Sequence, residues 1–401
     1  LTSRIFTAFE SRDFRLMWAG ACTSSIGTWM QKLAQSWLVL QLSGSAFWLG
    51  LDSFLSEIPI FLLALWAGVA ADRFDRRRLL IASQFVQMSC ALTLAALFAF
   101  GVAQVWHILT LSFIVGTAQA FGAPAYQSII PSLVPREHLP NAIAMNSIQF
   151  NLARVLGPMI GGLALTELGA AWCFGLNGMS FLAVIASLML IRTSFAPSAT
   201  RETVMESMRG GLQFIRSKPE MLPLIWVAFV CTFLGIPLIV FLPVFARDVF
   251  QGNEATFTLL LSIEAAGAIV GALLVAARGK RLHIGRDALL ALIALGIFEA
   301  LFAFSSNLIA SLIFVFFAGM ALIGCFALLS SLVQMVATDE MRGRVMSIYN
   351  IAFRGGMPIG ALITGALAPR FGVQAVVGVY GIILLCLAVY LLLVDRKIAR
   401  L

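Results

Sequence analysis

The chain has 401 residues, 60% of them hydrophobic and only 11% charged, with a mean hydropathy of +0.96. That composition excludes a soluble enzyme, because too few charges remain to cover a water-facing surface. Lys and Arg number 27 against 19 Asp and Glu, a net charge of +8, yet the basic residues fall in short clusters between apolar runs, which argues against a nucleic-acid-binding face.

At the start of the chain Arg4, Arg12 and Arg15 precede an apolar run that reaches about Leu40. The run is too long for the core of a cleavable signal peptide and reads as a retained first span. A helix needs about 20 residues to cross ~30 Å of hydrocarbon. By that measure twelve spans are expected, at 16–40, 46–71, 79–100, 105–131, 141–166, 170–192, 221–246, 256–277, 287–304, 308–334, 344–367 and 372–394. The turns at Gly101 and at Ser305-Ser306-Asn307 are marked by few polar residues. With the N-terminus inside, 22 of the 27 basic residues fall in inner segments, two (Arg247 and Arg370) in outer connections and three (Lys32, Arg154 and Arg354) within spans. This bias places both termini in the cytoplasm. The polar segment 193–220 divides the chain into 1–192 and 221–401. Within it Met205, Met208, Leu212 and Ile215 recur at helical spacing, which fits either an amphipathic helix on the inner membrane surface or a disordered linker.

The six cysteines are scattered through apolar stretches and the three histidines stand alone, so no disulfide framework, metal site or cofactor is expected. No GxxxxGK[ST] loop occurs, so ATP drive within this chain is not expected. The halves repeat weakly: an offset of 200 takes Ser147 to Ser347, Arg154 to Arg354 and Pro158 to Pro358. Each set falls in the fifth span of its half, where an arginine is rare.

Two motifs carry a family resemblance. The segment Gly68-Val69-Ala70-Ala71-Asp72-Arg73-Phe74-Asp75-Arg76-Arg77-Arg78 resembles the GxxxDRxGRR loop of the major facilitator superfamily, with Asp75 where glycine is usual. Gly157-Pro158-Met159-Ile160-Gly161-Gly162 is similar to the GPxxGG core of span five in its proton-coupled exporters. Stretches 124–162 and 339–365 resemble the subgroup of enterobactin and macrolide exporters. The resemblance implies an all-α membrane protein of two six-helix bundles around a central cavity. Two features depart from the pattern: span four has no arginine, and Tyr126 stands where the siderophore subgroup often has a basic residue.

On the family fold, Asp72 lies near the start of span eleven and pairs with Arg342 or Arg344, while Gly68 permits close helix approach and Arg73, Arg76 and Arg77 lock the inner loop. The alternative is that these arginines only set topology. Ionisable groups inside spans need a cavity or a partner: these are Lys32, Asp52, Glu57, Arg154, Glu264, Glu299 and Arg354. A Glu57 to Arg154 pair that breaks during transport supplies a proton site, with Asp52 as second candidate; otherwise such pairs only orient helices. Glu299, in a span peripheral in this fold, is expected to be structural. Gly157, Pro158, Gly161 and Gly162, and Pro358 with Gly355, Gly356 and Gly360, form either a pivot or a packing surface. Trp29, Gln31, Gln35, Gln119, Tyr126, Asn151, Gln334 and Asn350 are the expected cavity lining, suited to an amphipathic organic molecule.

The expected protein is a monomeric secondary exporter of a drug or siderophore-like compound in the bacterial cytoplasmic (inner) membrane, coupled to protons and surrounded by lipid. A lipid or lysolipid flippase and a non-transporting sensor are the alternatives; no enzymatic pairing of nucleophile and base is visible.

Overall fold

The structure, a computed structural model, describes residues 6–193, 204–278 and 283–401, without the side chains of 65, 71, 72, 204–207 and 278. Regular structure among them is entirely helical. After a short 3-10 turn, Thr7–Glu10, come α1 (Arg12–Ser43), α2 (Ala46–Arg73), α3 (Arg76–Ala99), α4 (Val105–Ile129), α5 (Leu139–Glu167) and α6 (Ala170–Leu190). The linker helix α7 (Val204–Ser217) precedes α8 (Met221–Val240), α9 (Glu254–Arg278), α10 (Ile284–Phe304), α11 (Leu308–Val336), α12 (Arg342–Phe371) and α13 (Val373–Leu393).

Each expected apolar run lies on one long helix, with its ends shifted by a few residues, except the seventh, which continues past α8 through a short helical turn, Leu242–Val244, into a π turn, Phe245–Val249. Eleven helices among the described residues are long and apolar enough to cross a membrane. The first helix, α1, is not one of them although it runs for 32 residues, because Ser24, Ser25, Thr28, Gln31, Lys32 and Gln35 dilute its apolar content. The sparsely marked turns close by local chemistry. Gly101 takes φ +68° after α3, a conformation that only glycine adopts without strain. The Asn307 side chain accepts the Ala310 amide at 3.0 Å and caps α11, satisfying a donor left open by the first helical turn.

Two compact units divide the chain, residues 1–42 with 55–201, and 43–54 with 202–401. In the first, a core of Phe14, Met17, Leu80, Ile129, Met145 and Leu188 gathers α1, α3, α4, α5 and α6. Gly20 and Gly27 bring α1 against Ser187 and Ser180 of α6. In the second unit, Gly267 and Gly271 set α9 on the carbonyls of Phe316 and Met320 in α11. Gly296 sets α10 on the backbone of Gly381 and Leu385 in α13. The opening turns of α2 belong to this unit, with Gly50 against the Ala361 carbonyl and Gly365 of α12. Such glycines let backbones approach closely where no hydrophobic drive separates helix from lipid.

Of the two readings of the linker the helix is the one seen, over Val204–Ser217, and its contact face includes only part of the apolar stripe. Gly210 and Gly211 lie against Arg344 and Ile348 of α12; Ile215 is buried and Leu212 is exposed, while the Met205 side chain lies outside the described residues. Backbone approach at the two glycines, which no hydropathy pattern reveals, turns the helix onto α12.

Candidate functional site

One joint is built twice, its glycines 199 residues apart, one residue out of step with the offset of 200 that takes Arg154 to Arg354 and Pro158 to Pro358. In the first unit Gly157 and Gly161 of α5 press on α1: a Cβ at Gly157 would overlap Trp29 and the Ile26 carbonyl, and one at Gly161 would lie 2.9 Å from both Cα and carbonyl oxygen of Met30. In the second unit Gly356 and Gly360 of α12 press on α8, where a Cβ would overlap Thr232 and the Phe233 carbonyl. Pro158 and Pro358 lie buried beside these glycines in their helices, and Gly162 is buried with them. The fifth long helix of each half therefore meets the first through small residues four apart, a spacing of about one turn.

Next to the first joint is a cluster of aromatic and cationic groups. The Lys32 Nζ stands 5.4 Å from the Trp29 ring centroid and the Arg154 Cζ 6.0 Å from it, within reach of the ring's negative face. Phe150 meets Trp29 edge-on at 6.1 Å. Lys32 is exposed, whereas Arg154 is only 9% exposed; among the described residues Lys32 has no ion-pair partner. Asn151 is half-buried and donates to the Ser147 carbonyl at 2.8 Å. The cluster presents positive charge beside an aromatic face.

The expected lining amides divide into two groups. Gln31 and Gln35 are taken up inside the first unit: Asn177 Nδ2 donates to Gln31 Oε1 at 2.6 Å, and Gln35 Nε2 donates to Ser112 Oγ at 2.9 Å. They tie α1 to α6 and α4. Tyr126 packs on the core cluster and its hydroxyl donates to Asn146 Oδ1 at 2.7 Å. Gln119, Gln334 and Asn350 are exposed.

Of the charges, Glu57 is half-buried and Asp52 is 6% exposed. Glu264 is fully buried, its carbonyl and one carboxyl oxygen against Gly319 of α11. Arg354 and Lys32 are exposed, whereas Arg154 is buried.

The loop motif has a local structure of its own. Asp75 replaces the usual glycine without strain, at φ −58°, and its carboxylate accepts the Arg78 amide at 3.0 Å to cap α3. Arg77 Nη2 donates to the carbonyls of Ile191 and Thr193, both at 2.7 Å, closing the C-terminus of α6 with positive charge where the helix dipole favours it. Arg73 is exposed and Arg76 half-buried. Gly68 does not sit at a close helix approach: a Cβ there meets no described atom within 4 Å. The motif's resemblance conveyed the residue but not its surroundings. The Asp72 side chain lies outside the described residues. Arg342 bonds Asp339 at 2.6 Å and Arg344 lies against α7.

One residue of this corner escaped the sequence reading. Asp13 Oδ2 accepts the amides of Arg192 and Thr193 at 3.1 and 3.0 Å and the Thr193 hydroxyl at 2.7 Å. An acidic residue in the first turn of α1 was the available signal, but its partners are some 180 residues away. Burial pushes the carboxyl up, but the Thr193 hydroxyl, the Thr193 and Arg192 amides and the Arg12 guanidinium together hold it below its ordinary value. The charged form is the one bound, so its stabilisation is present above the unfolded carboxyl's pKa of about 3.9 and is lost as pH falls through the lower, folded value. Melting of the purified protein between pH 6 and pH 3 is therefore expected to fall more steeply for wild type than for Asp13→Asn; parallel curves would contradict this assignment.

The pattern of the transmembrane secretion effector family matches residues 3–399. The chain is 26% identical to a staphyloferrin A transporter of Staphylococcus aureus, over 93% of this chain and 94% of that protein. It is 28% identical to the multidrug efflux pump Tap of Mycolicibacterium fortuitum, over 88% and 89%. An enterobactin exporter of Escherichia coli is 27% identical, over 96% and 92%. Among solved structures, a bacterial homologue of the human lysosomal transporter Spinster superposes with a TM-score of 0.76 at 16% identity, over 97% of each chain. A POT family transporter gives 0.78 at 10% identity, over 96% of each; these two likenesses concern the fold.

Proposed function

The chain belongs to the transmembrane secretion effector family of the major facilitator superfamily, and from that premise we propose that it is a proton-coupled exporter of an amphipathic, negatively charged small molecule. The observation that carries the choice of substrate is the Trp29 ring with the Lys32 ammonium on its face and Arg154 beside it. An aromatic surface flanked by cations suits a molecule with an apolar or aromatic body and carboxylate or catecholate groups. The staphyloferrin and enterobactin transporters among its relatives support this class.

On this reading the first helix, α1, is a twelfth crossing whose polar residues are tolerated because they face the bundle and the transport path, and both termini are cytoplasmic, as the distribution of basic residues favours. Residues 1–192 and 221–401 act as two six-helix bundles joined by 193–220. The bundles rock in alternating access, with the paired joints of α5 on α1 and α12 on α8 as pivots. Glu57 takes up and releases the coupling proton in concert with Arg154. Asp72 latches the inner side through Arg342 or Arg344. The protein works as a monomer in the bacterial inner membrane.

The test is counterflow in proteoliposomes with a carboxylate siderophore, a catecholate siderophore, a macrolide and a cationic dye, at two pH gradients. Exchange of at least one anionic probe is expected. Lys32→Gln is expected to weaken its apparent affinity about tenfold, equivalent to about 1.4 kcal/mol, with little effect on any cationic probe. Exchange confined to the cationic dye, or an anionic affinity unmoved by Lys32→Gln, would overturn the substrate class.

A further inference from the structure

Glu299 lies on α10, five residues before the end of that helix. Its side chain is fully buried, and among the described residues neither carboxyl oxygen has a hydrogen-bond partner. The helix is clamped on both sides of it: Gly296 abuts the backbone of Gly381 and Leu385, and Gly381 in turn abuts Ala300, both contacts with α13. Among the described residues no cation offsets a charge there. The three long helices packed against α10, namely α8, α11 and α13, contain no Lys, Arg, His, Asp or Glu along their lengths. Two shorter segments that meet α10 are charged: the π turn Phe245–Val249, whose Phe245 ring stands 4.8 Å from Phe302, carries Arg247 and Asp248, which pair with each other, and the C-terminal segment that meets Gly285 carries Asp395, Arg396, Lys397 and Arg400 at the opposite end of the helix. On α10 itself the other ionisable side chains are Arg286 and Asp287 near its start, some 18 Å away at about 1.5 Å per residue. The titratable groups that do face Glu299 are thiols and phenols: Cys231 of α8 and Tyr380 of α13 lie within electrostatic reach. Cys325 of α11 sits 3.8 Å from Cys231, sulfur to sulfur. Tyr380 in turn accepts a hydrogen bond from Thr364 at 3.3 Å.

A bare carboxylate has little support in such surroundings, since it is fully buried and no donor or counter-ion among the described residues stabilises it. A carboxylic acid needs none of these. We propose that Glu299 is a proton-binding site inside the second half of the protein, loaded as the neutral acid in this conformation and exchanging its proton with solvent when the bundle opens. The step is simple protonation of one carboxylate oxygen, and its ligand is the proton. Its use as a second coupling site alongside Glu57 rests on the proton-driven reading above; the existence of the site does not.

Infrared spectroscopy of the purified protein in lipid at neutral pH tests this without any transported compound. A carboxylic-acid C=O band is expected in wild type, lost in Glu299→Gln, retained in Glu57→Gln and displaced rather than deleted in Glu299→Asp. On transfer to heavy water the band is expected to shift as the acid proton is replaced. A spectrum in which Glu299→Gln removes no such band overturns the proposal. So does a band that never shifts in heavy water, which would make Glu299 a sealed structural acid. Absence of any pH-gradient dependence of transport, measured separately, would remove the coupling role and the proton-driven reading while leaving the band in place.

Discussion

Gly360→Leu and Gly161→Leu are each expected to leave almost no folded protein after purification, whereas Gly68→Leu is expected to purify like wild type. The first two residues sit where one helix backbone rests on another. A side chain at Gly360 would run into the carbonyl group and Cα of Phe233, and one at Gly161 into Cα and the carbonyl of Met30. These obstacles are backbone atoms, which cannot swing aside as a side-chain tip can, so the helices themselves must separate. Overpacking of a tight interior costs about 1 to 3 kcal/mol for small additions, and a whole isobutyl group at a backbone contact exceeds that range. Gly360→Ala is the graded version, expected to cost about 2 to 3 kcal/mol and to lower the melting temperature by several degrees. Gly68, whose added Cβ meets no described atom within 4 Å, is the control. Fluorescence-detected size-exclusion and thermal unfolding read all four variants; equal loss at Gly68 and Gly360 would mean that the joint has no special place in the fold.

Arg77→Ala is the second substitution with a large expected effect. Its guanidinium closes two carbonyls at the end of α6, and hydrogen bonds to a charged group contribute about 1.5 to 3 kcal/mol each when their partners are left unsatisfied. Because the site is part-buried, a total near 2 kcal/mol is expected rather than the full sum. Arg77→Lys is expected to recover less than half, since a single ammonium cannot reproduce the planar fork. Arg78 is exposed, with its amide rather than its guanidinium engaged by Asp75, and Arg78→Ala is expected to change stability by under about 0.5 kcal/mol. Proteolysis at the junction after residue 193 should quicken in Arg77→Ala alone. If all the arginines of the motif proved equally dispensable for stability, their role would reduce to setting topology.

The division between what the sequence disclosed and what it withheld follows the range of the interactions. Helices were legible because twenty consecutive apolar residues announce themselves locally, and even α1, polar for a span, was placed within a few residues. The glycine pairs of α5 and α12 were legible as small-residue motifs, but not their contacts, because Met30 and Phe233 lie more than a hundred residues from the glycines they meet. A greater distance hides Asp13, whose partners Arg192 and Thr193 follow the end of α6. Gly68 erred the other way: a motif borrowed by resemblance brought an expectation of close packing that the local geometry does not meet. Asp75, in contrast, looked like a departure from the pattern and is an ordinary helix cap, a rule of local chemistry that needed no comparison. Amides in a span suggest a ligand, which puts Gln31 and Gln35 on the transport path from sequence; inside a membrane amides also tie one helix to another, as the bonds to Asn177 and Ser112 do. Glu299 lies in a span peripheral in this fold and reads as structural from sequence; its full burial, with no hydrogen-bond partner for either carboxyl oxygen among the described residues, gives it another meaning.

The most direct measurement of the central claim is uptake into inside-out proteoliposomes of an anionic siderophore, with the lumen made more acidic than the bath and then with the gradient collapsed by an ionophore. Accumulation above the external concentration while the gradient lasts, its release on collapse, and loss of both in Glu57→Gln with exchange preserved are the results predicted. Accumulation that persists without the gradient, or flux that never exceeds equilibration across the membrane, would contradict proton-driven export.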